Sequence, residues 1–255
     1  MTPLVMGVLN VTPDSFSDGG RYLDQAAAVA RGHELVAEGA DVVDVGGEST
    51  RPGAELVPEA EELHRVLPVV EALAPHVRVS VDTRKRAVAE AAVAAGATLV
   101  NDVSASLHEV AAAAGVGWVA MHMRGEPATM QDDPRYDDVV GEVRDFLVAR
   151  AEAAVAAGVE EVWIDPGIGF GKTVEHNLCL LKHVGRLVAT GFPVVVGTSR
   201  KGFLGALTGG AGPDDRLEAS LATAVQALAG GARMVRVHEV APTVQAARLV
   251  GAAAS

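Results

Sequence analysis

Residues 77–102 read VRVSVDTRKRAVAEAAVAAGATLVND. The first six alternate apolar and polar side chains and end on Asp82, the period-two pattern of a strand. RKRAVAEAAVAAG (84–96) then spaces alanine and valine at helical intervals and stops at a glycine. TLVND (98–102) opens a second strand and ends on Asn101 and Asp102. This strand–helix unit recurs along the whole chain. Similar runs are LVMGVL (4–9), DVVDVG (41–46), GWVAMH (117–122), EVWID (161–165), FPVVVG (192–197) and RMVRVH (233–238). Helical stretches such as DQAAAVARGHELVAEG, PEAEELHRVLPVVEAL and RLEASLATAVQALAGG lie between them. Eight units in 255 residues average about 32 each, the length of a (β/α)8 TIM barrel in a single domain over 1–255.

The alternative is an open doubly wound sheet, in which only the strand ends at one switch point carry chemistry. Here nearly every strand is followed by a polar residue: Asn10, Asp44, Asp82, Asn101 with Asp102, His122, Asp165, Ser199 to Lys201, and Arg236 with His238. Taken singly, such a residue is more often a helix N-cap. A full ring of them converges on one mouth only if the sheet closes, so the pattern predicts an α/β barrel with its site at the C-terminal ends of the strands.

Composition narrows the partners. A formal net charge of -12 repels nucleic acid and anionic membrane, so a small-molecule ligand is expected instead. The single cysteine, Cys179, precludes an internal disulfide and fits a reducing cytoplasm; its apolar surroundings, NLCLLKHV, predict a buried structural thiol. The N-terminal MTPLVMGVL has neither the basic nor the long apolar region of a signal peptide, and charged residues or glycines interrupt every apolar run before it reaches spanning length.

Against that acidic background the cations are placed selectively. Lys201, one of only four lysines, lies in VVVGTSRKGFLG after the seventh strand, with Ser199 and Arg200 beside it. Arg236 and His238 share one side of the eighth strand by alternation, and Arg51 follows the second strand in GGESTRPG. Together they predict a phosphate or diphosphate clamp, since barrel anion sites form after strands seven and eight. Asp82 and Asp165 suit a heterocycle that presents two adjacent N–H donors, Asn101 can donate and accept, and Lys201 can donate to a ring carbonyl. No H-x-H, HExxH or Cys/His motif is present; a Mg2+ held chiefly by a diphosphate would leave no stronger signature than one or two oxygens. DPGIGFGKT (165–173) is not a nucleotide P-loop, because Pro166 stands where the first glycine is required. Phe16, Phe170 and Phe203 lie in or beside loops after strands one, six and seven, either as plugs for those loops or as a wall for a flat ligand.

Seven blocks, MGVLNVTPDSFSDGG, VDVGGESTRPGA, VSVDT, VNDVS, DPGIGFGKT, GTSRKGFLG and VRVHEV, run in order from residue 6 to about 240. As a set they resemble the dihydropteroate synthase family. The resemblance implies a TIM barrel that joins 4-aminobenzoate to the diphosphate ester of 6-hydroxymethyl-7,8-dihydropterin, with Mg2+ assisting, as a cytoplasmic homodimer in folate biosynthesis. It implies that Asp82, Asn101, Asp165 and Lys201 hold the pterin. Asn10 would hold Mg2+ and diphosphate, and Arg51, Arg236 and His238, with Ser199 nearby, would hold the anion. Asp44 would support the mouth of strand two, and Thr50, Pro52, Phe16 and Phe170 would line the 4-aminobenzoate site. The loop after strand one would be a lid hinged at Asn10. Three features depart from the family pattern: Glu239 where Asp is common, Gly202 where Ser is common, and a short segment, ASLHEV, after NDVS. The alternatives on the same barrel are a pterin-binding methyltransferase, which has no use for the cation clamp, and a non-catalytic pterin-binding paralogue.

Overall fold

The computed structural model describes residues 2–12, 21–49, 56–127 and 129–253. Eight parallel strands follow one another around a single sheet: β1 Leu4–Asn10, β2 Val42–Gly46, β3 Arg78–Asp82, β4 Leu99–Asp102, β5 Gly117–Met121, β6 Val162–Asp165, β7 Val195–Val196 and β8 Met234–Val237. The order β6-β5-β4-β3-β2-β1-β8-β7 leaves β6 and β7 at the two edges, and a parallel bridge between Ile164 and Val194 joins them. The expected barrel is therefore present, with each predicted strand found. Its seventh member is the shortest, at two residues, and Pro193 lies just before it. Proline has no N–H to donate, which limits ladder pairing there, but its carbonyl still accepts from Ile164 N at 3.0 Å.

The helices that return the chain are α1 Arg21–Ala37, α2 Glu59–Leu73, α3 Arg86–Ala94, α4 His108–Ala114, α5 Val139–Ala156, α6 Val174–Lys182, α7 Val184–Val188, α8 Gly202–Leu207, α9 Leu217–Ala229 and α10 Val240–Ala253. Each buries an apolar stripe against the outer face of the strands: Val66, Val69, Val70 and Leu73 of α2 are fully enclosed. Local signals set several of the ends. Asp138 caps α5 by accepting from Gly141 N at 3.1 Å, and Thr173 and His176 form a reciprocal capping box on α6. None of these helices is long and apolar enough to cross a membrane.

Alternation divides the strand residues into two sets. Val43, Val45, Val79, Val81, Val100, Ile164 and Val235 face outward into the core shared with the helices. Met6, Val42, Leu99, Val119, Trp163, Val195 and Met234 face inward and fill the barrel as a separate cluster. This inner layer is a floor, and whatever lies two residues beyond it in each strand must face the same interior.

The same phase rule removes two residues from the predicted ring. Asp102 follows the outward Val100, and His122 follows the outward Ala120. Asp102 is fully buried and organises the short loop after β4. It accepts from the N–H groups of Ser104, Ser106 and Leu107 at 2.9, 2.7 and 2.6 Å, from Ser104 Oγ at 2.5 Å and from Trp118 Nε1 at 3.2 Å. Asp102→Ala should lower stability by about 3 kcal/mol, because several buried donors lose their acceptor. Ser106→Ala, whose hydroxyl meets only that of Ser104, should cost under about 1 kcal/mol. Urea midpoints at constant m-value measure both, and a small loss for Asp102→Ala would show that other acceptors replace the carboxylate.

Candidate active site

The residues above the floor are polar. Asn10 lies four residues past Met6, and Asp44, Asn101, Asp165 and Arg236 lie two past Val42, Leu99, Trp163 and Met234. Asp82 is aligned with Gly46 and Asn101 in the neighbouring strands. Strand phase alone thus delivers six of the sequence-predicted site residues to one mouth. Phe16, Thr50, Arg51 and Pro52, also expected in the site from the loops after β1 and β2, lie outside the described residues. The root of the loop after β2 is well anchored, with Gly47 O accepting from Arg65 Nη1 at 2.7 Å and Glu48 paired with Arg84 at 3.2 Å and with Lys85.

At the centre, Arg236 bridges two carboxylates. Its Nε donates to Asp44 Oδ2 at 2.6 Å and one Nη to Asp82 Oδ2 at 2.7 Å. Asn101 Nδ2 donates to the same Asp44 oxygen at 3.0 Å. Arg236 therefore sits among the carboxylates at the base of the mouth, where it neutralises the pair. Asp44 Oδ1 and Asp82 Oδ1 are buried with no hydrogen-bond partner. Burial pushes the Asp82 carboxyl up to about 7, with Arg236 opposing and Asp44 adding to the rise. Burial opposes the Arg236 charge too, but Asp44 and Asp82 outweigh it and hold the guanidinium above its ordinary value.

Asp165 faces this cluster from β6. Its Oδ1 accepts from Gly167 N at 2.7 Å, and burial raises its pKa against the pull of Lys201. Lys201 bonds Ile168 O through Nζ and lies 4.6 Å from the centroid of the Phe170 ring, a cation–π contact that couples the loops after β6 and β7. Burial pulls its amine down to about 8, opposed by Asp165 and assisted by Arg236. Phe203, the third loop phenylalanine, is a core plug in α8 and does not reach the mouth.

After β7 the chain turns through Arg200 at φ +61, a left-handed conformation uncommon outside glycine. Its Nε donates to Glu239 Oε1 at 2.5 Å and its Nη1 to Asp214 Oδ1 at 2.8 Å, so this guanidinium is tied to two surface carboxylates. Ser199 Oγ meets His238 Nδ1 at 3.0 Å and Glu239 Oε2 at 3.1 Å, and accepts from His238 N at 3.1 Å. Glu239, singled out in the sequence only as a departure from a pattern, thus joins both residues that precede Lys201.

Loop six, residues 165–173, owes its path to glycine. A Cβ on Gly167 would stand 1.8 Å from His122 O and one on Gly171 2.2 Å from Arg124 O, and both residues have φ of +62. The loop lies directly on backbone carbonyls after β5. His122 is accordingly an outward residue, packed edge-on against Phe146 of α5 at 5.0 Å. Lys172, which the sequence offered only as part of a failed P-loop match, is almost wholly buried beside it. Cys179 is half-buried on α6, short of the full burial expected.

Comparison with known proteins agrees with this geometry. Residues 6–238 match a sequence family described as pterin binding enzyme. The dihydropteroate synthase of Mycobacterium leprae is 50% identical over 97% of this chain and 92% of its own length. The chain belongs to the dihydropteroate synthase family. Its chemistry is that of a transferase of the pterinylmethyl group. Two solved Xanthomonas albilineans dihydropteroate synthase structures superpose closely. One, with 4-aminobenzoic acid, has a TM-score of 0.93 at 49% identity, covering 100% of this chain and 94% of that one. The other, in complex with 7,8-dihydropteroate, has a TM-score of 0.89 at 46% identity, with the same coverage.

The close packing of loop six sets a stability expectation. Gly167→Ala should destabilise by about 2 kcal/mol or more, since it combines a backbone clash with a left-handed φ. Gly202→Ala, where a Cβ meets nothing within 4 Å, should leave the melting temperature unchanged. Equal melting temperatures for both variants would mean that loop six does not rest on His122.

Proposed function

We propose that this chain makes 7,8-dihydropteroate by joining 6-hydroxymethyl-7,8-dihydropterin diphosphate to 4-aminobenzoate with release of diphosphate. The observation that carries this reading to particular residues is a pair of aspartates facing one mouth, the largely buried Asp82 and the buried Asp165. The unpaired Asp82 Oδ1 awaits a donor. A pterin edge supplies adjacent N–H groups, so binding offsets the desolvation cost of that carboxylate oxygen. Asn101 adds a donor and an acceptor, and Lys201 donates to the ring carbonyl.

Asp44 holds Arg236 by its Nε. When ring donors take Asp82, the Arg236 Nη bound there becomes available to the diphosphate, which lies towards His238 and Ser199 and, on this reading, Arg51. Among the described residues no three His, Cys, Asp or Glu side chains form a metal cluster. The half-buried Asn10, ending β1, offers one hard oxygen. That donor fits a Mg2+ carried mainly by the substrate, and Asn10 would hold it there. Bound in that way, Mg2+ would neutralise charge on the leaving diphosphate.

The C–O bond to diphosphate breaks and its electron pair leaves with the diphosphate. The dihydropterin delocalises the positive charge left on its methylene, so the displacement is dissociative. The amine lone pair of 4-aminobenzoate then forms the C–N bond and the ammonium so formed loses a proton. Cations positioned for the departing anion stabilise the transition state more than the ground state. Phe170 flanks 4-aminobenzoate and keeps water from the same carbon, a wall that Phe16, Thr50 and Pro52, outside the described residues, would complete. A pterin-binding methyltransferase would share Asp82, Asn101 and Asp165 but gain nothing from the Ser199–His238 side of the mouth. The same reading makes the protein a cytoplasmic homodimer. Exposed Leu178, Leu207 and Leu217 on the neighbouring helices α6, α8 and α9 support an interface between copies.

Diphosphate release from the pterin diphosphate ester must depend on 4-aminobenzoate; release without it, or none, would refute the synthase reading. Asp165→Ala should weaken binding of a diphosphate-free pterin at least tenfold, about 1.4 kcal/mol, by titration calorimetry. The Asp82 carboxyl must be ionised to accept two N–H donors. Affinity should therefore be highest above pH 7 and fall towards tenfold per unit as pH drops below that value. Asp82→Asn should flatten this limb, and an unchanged pH profile in that variant would assign the titration elsewhere.

A further inference from the structure

Lys172 is a lysine buried to 3% exposure that the proposed reaction does not use. Its Nζ has three partners: His122 Nδ1 at 3.0 Å, His122 O at 3.3 Å and Phe170 O at 3.0 Å. An ammonium group has three N–H bonds, and here each meets an acceptor. Burial, with the adjacent Lys201 charge, pulls the amine well below the ordinary lysine value, while Asp165 opposes. Burial and Lys172 likewise pull His122 down to about 3, which keeps its imidazole neutral and Nδ1 able to accept. A neutral amine fits equally well: it donates to both carbonyls and accepts from Nδ1–H of the other tautomer.

The contacts on either side identify what this amine holds. Within loop six, Gly169 N donates to Asn177 Oδ1 at 2.7 Å, Gly169 O accepts from Gln131 Nε2 at 2.6 Å and Gly171 O accepts from Tyr136 OH at 2.9 Å. Lys201 reaches the same loop at Ile168 O and faces the Phe170 ring. Four of these tethers fasten the loop backbone to its surroundings. Among these tethers, only Lys172 joins the Phe170 carbonyl to His122, the residue just after β5. Phe170 itself lies three residues beyond the clash-limited Gly167, in a loop without strand pairing of its own.

We propose that Lys172 is a positioning residue for the second substrate: by holding the carbonyls of His122 and Phe170 on one amine, it fixes the Phe170 ring against 4-aminobenzoate and against Lys201. This rests on the functional reading above and adds a residue to it. Its effect is directional. Asp165 is set by the β5–β6 ladder, where it aligns with Met121, whereas Phe170 has the Lys172 bond and the short turn to Gly167 O at 3.1 Å. Loss of the amine therefore disturbs the 4-aminobenzoate side more than the pterin side.

The test compares Lys172→Met, which keeps the alkyl stem and removes the donors, with Tyr136→Phe, which removes only the hydroxyl on Gly171 O. Steady-state constants for both substrates, calorimetry with a diphosphate-free pterin, and amide hydrogen exchange over residues 167–170 are measured on the full chain. For Lys172→Met the expected result is a rise of about tenfold or more in KM for 4-aminobenzoate. Pterin affinity should stay within about threefold, and exchange in loop six should be faster. Tyr136→Phe should change the same quantities in the same direction by about threefold. Unchanged constants in Lys172→Met, or equal losses for both substrates that track its melting temperature, would overturn the proposal. If Lys172→Met fails to fold, an unchanged Tyr136→Phe overturns it and a selective Tyr136→Phe sustains it. A wild-type chain without 4-aminobenzoate-dependent turnover would refute the functional reading instead, and loop-six exchange in Lys172→Met would then decide the positioning role by itself.

Discussion

Two carboxylates inside a barrel need a compensating charge, and Arg236 supplies it to both Asp44 and Asp82. Moving a single ion into such an interior costs several kcal/mol even after relaxation, and a pair of like charges costs more. The guanidinium is suited to this task because its planar fork can donate in two directions while staying charged. Asn101 reinforces the arrangement on the Asp44 side. What is left over is equally informative: one oxygen of each aspartate remains buried and unpaired. On the proposed reading the Asp82 oxygen is where a ring donor lands, since an unpaired buried acceptor is costly unless something completes it.

The site depends on a second constraint, the period of two along each strand. Met6, Val42, Leu99, Trp163 and Met234 fill the barrel, and the residues in phase with them reach the mouth. Asn101 and Asp102 are sequence neighbours and both are buried, yet they do unrelated work. Asn101 faces the pocket, whereas Asp102, one residue out of phase, gathers the N–H groups of its own loop. The pairing of His122 with Lys172 follows from the same displacement, because an outward imidazole at the end of β5 lies under loop six. One residue of phase thus separates the face of the mouth from the scaffold around it.

Much of this was legible in the sequence. The eight strands, the closed sheet and the inward set Asn10, Asp44, Asp82, Asn101, Asp165 and Arg236 all follow from spacing that local rules preserve. Asp102 and His122 belong to the ring of strand-end residues by position in the chain but not by phase, which sequence order alone does not separate. Arg236 was recognised as a cation of the site, but its partners were not, because Asp44 and Asp82 lie 192 and 154 residues away in sequence. Lys172 escaped for the same reason. Its three acceptors include a backbone carbonyl and a ring nitrogen 50 residues away, and a carbonyl leaves no signature in composition. The glycines of DPGIGFGKT were the available signal: three left-handed residues at alternate positions imply a backbone pressed against another, and hence something that must fasten it there.

The division of charge around the mouth bears on the chemistry. Its base carries Asp44, Asp82 and Asp165, while the side formed after β7 and β8 carries Ser199, Lys201 and His238. Arg236 lies between, bonded to the acidic side. A substrate that is a hydrogen-bond-donating ring at one end and a polyanion at the other matches that polarity along its length. The match also orients the bond that breaks, since the methylene must lie where the two regions meet. On the proposed reading, electron density leaving that carbon moves towards the cations, and the positive charge left behind stays conjugated with a ring held by carboxylates. In a protein of net charge -12 this local gradient is built from a few fixed cations, and among them Arg200 adopts a left-handed conformation. The turn directs its own guanidinium out to Glu239 and Asp214 while Ser199 and Lys201, on either side of it, keep their contacts with His238 and with loop six. Strain at one residue is the local cost of presenting its two neighbours to a site that their immediate sequence order would otherwise divide.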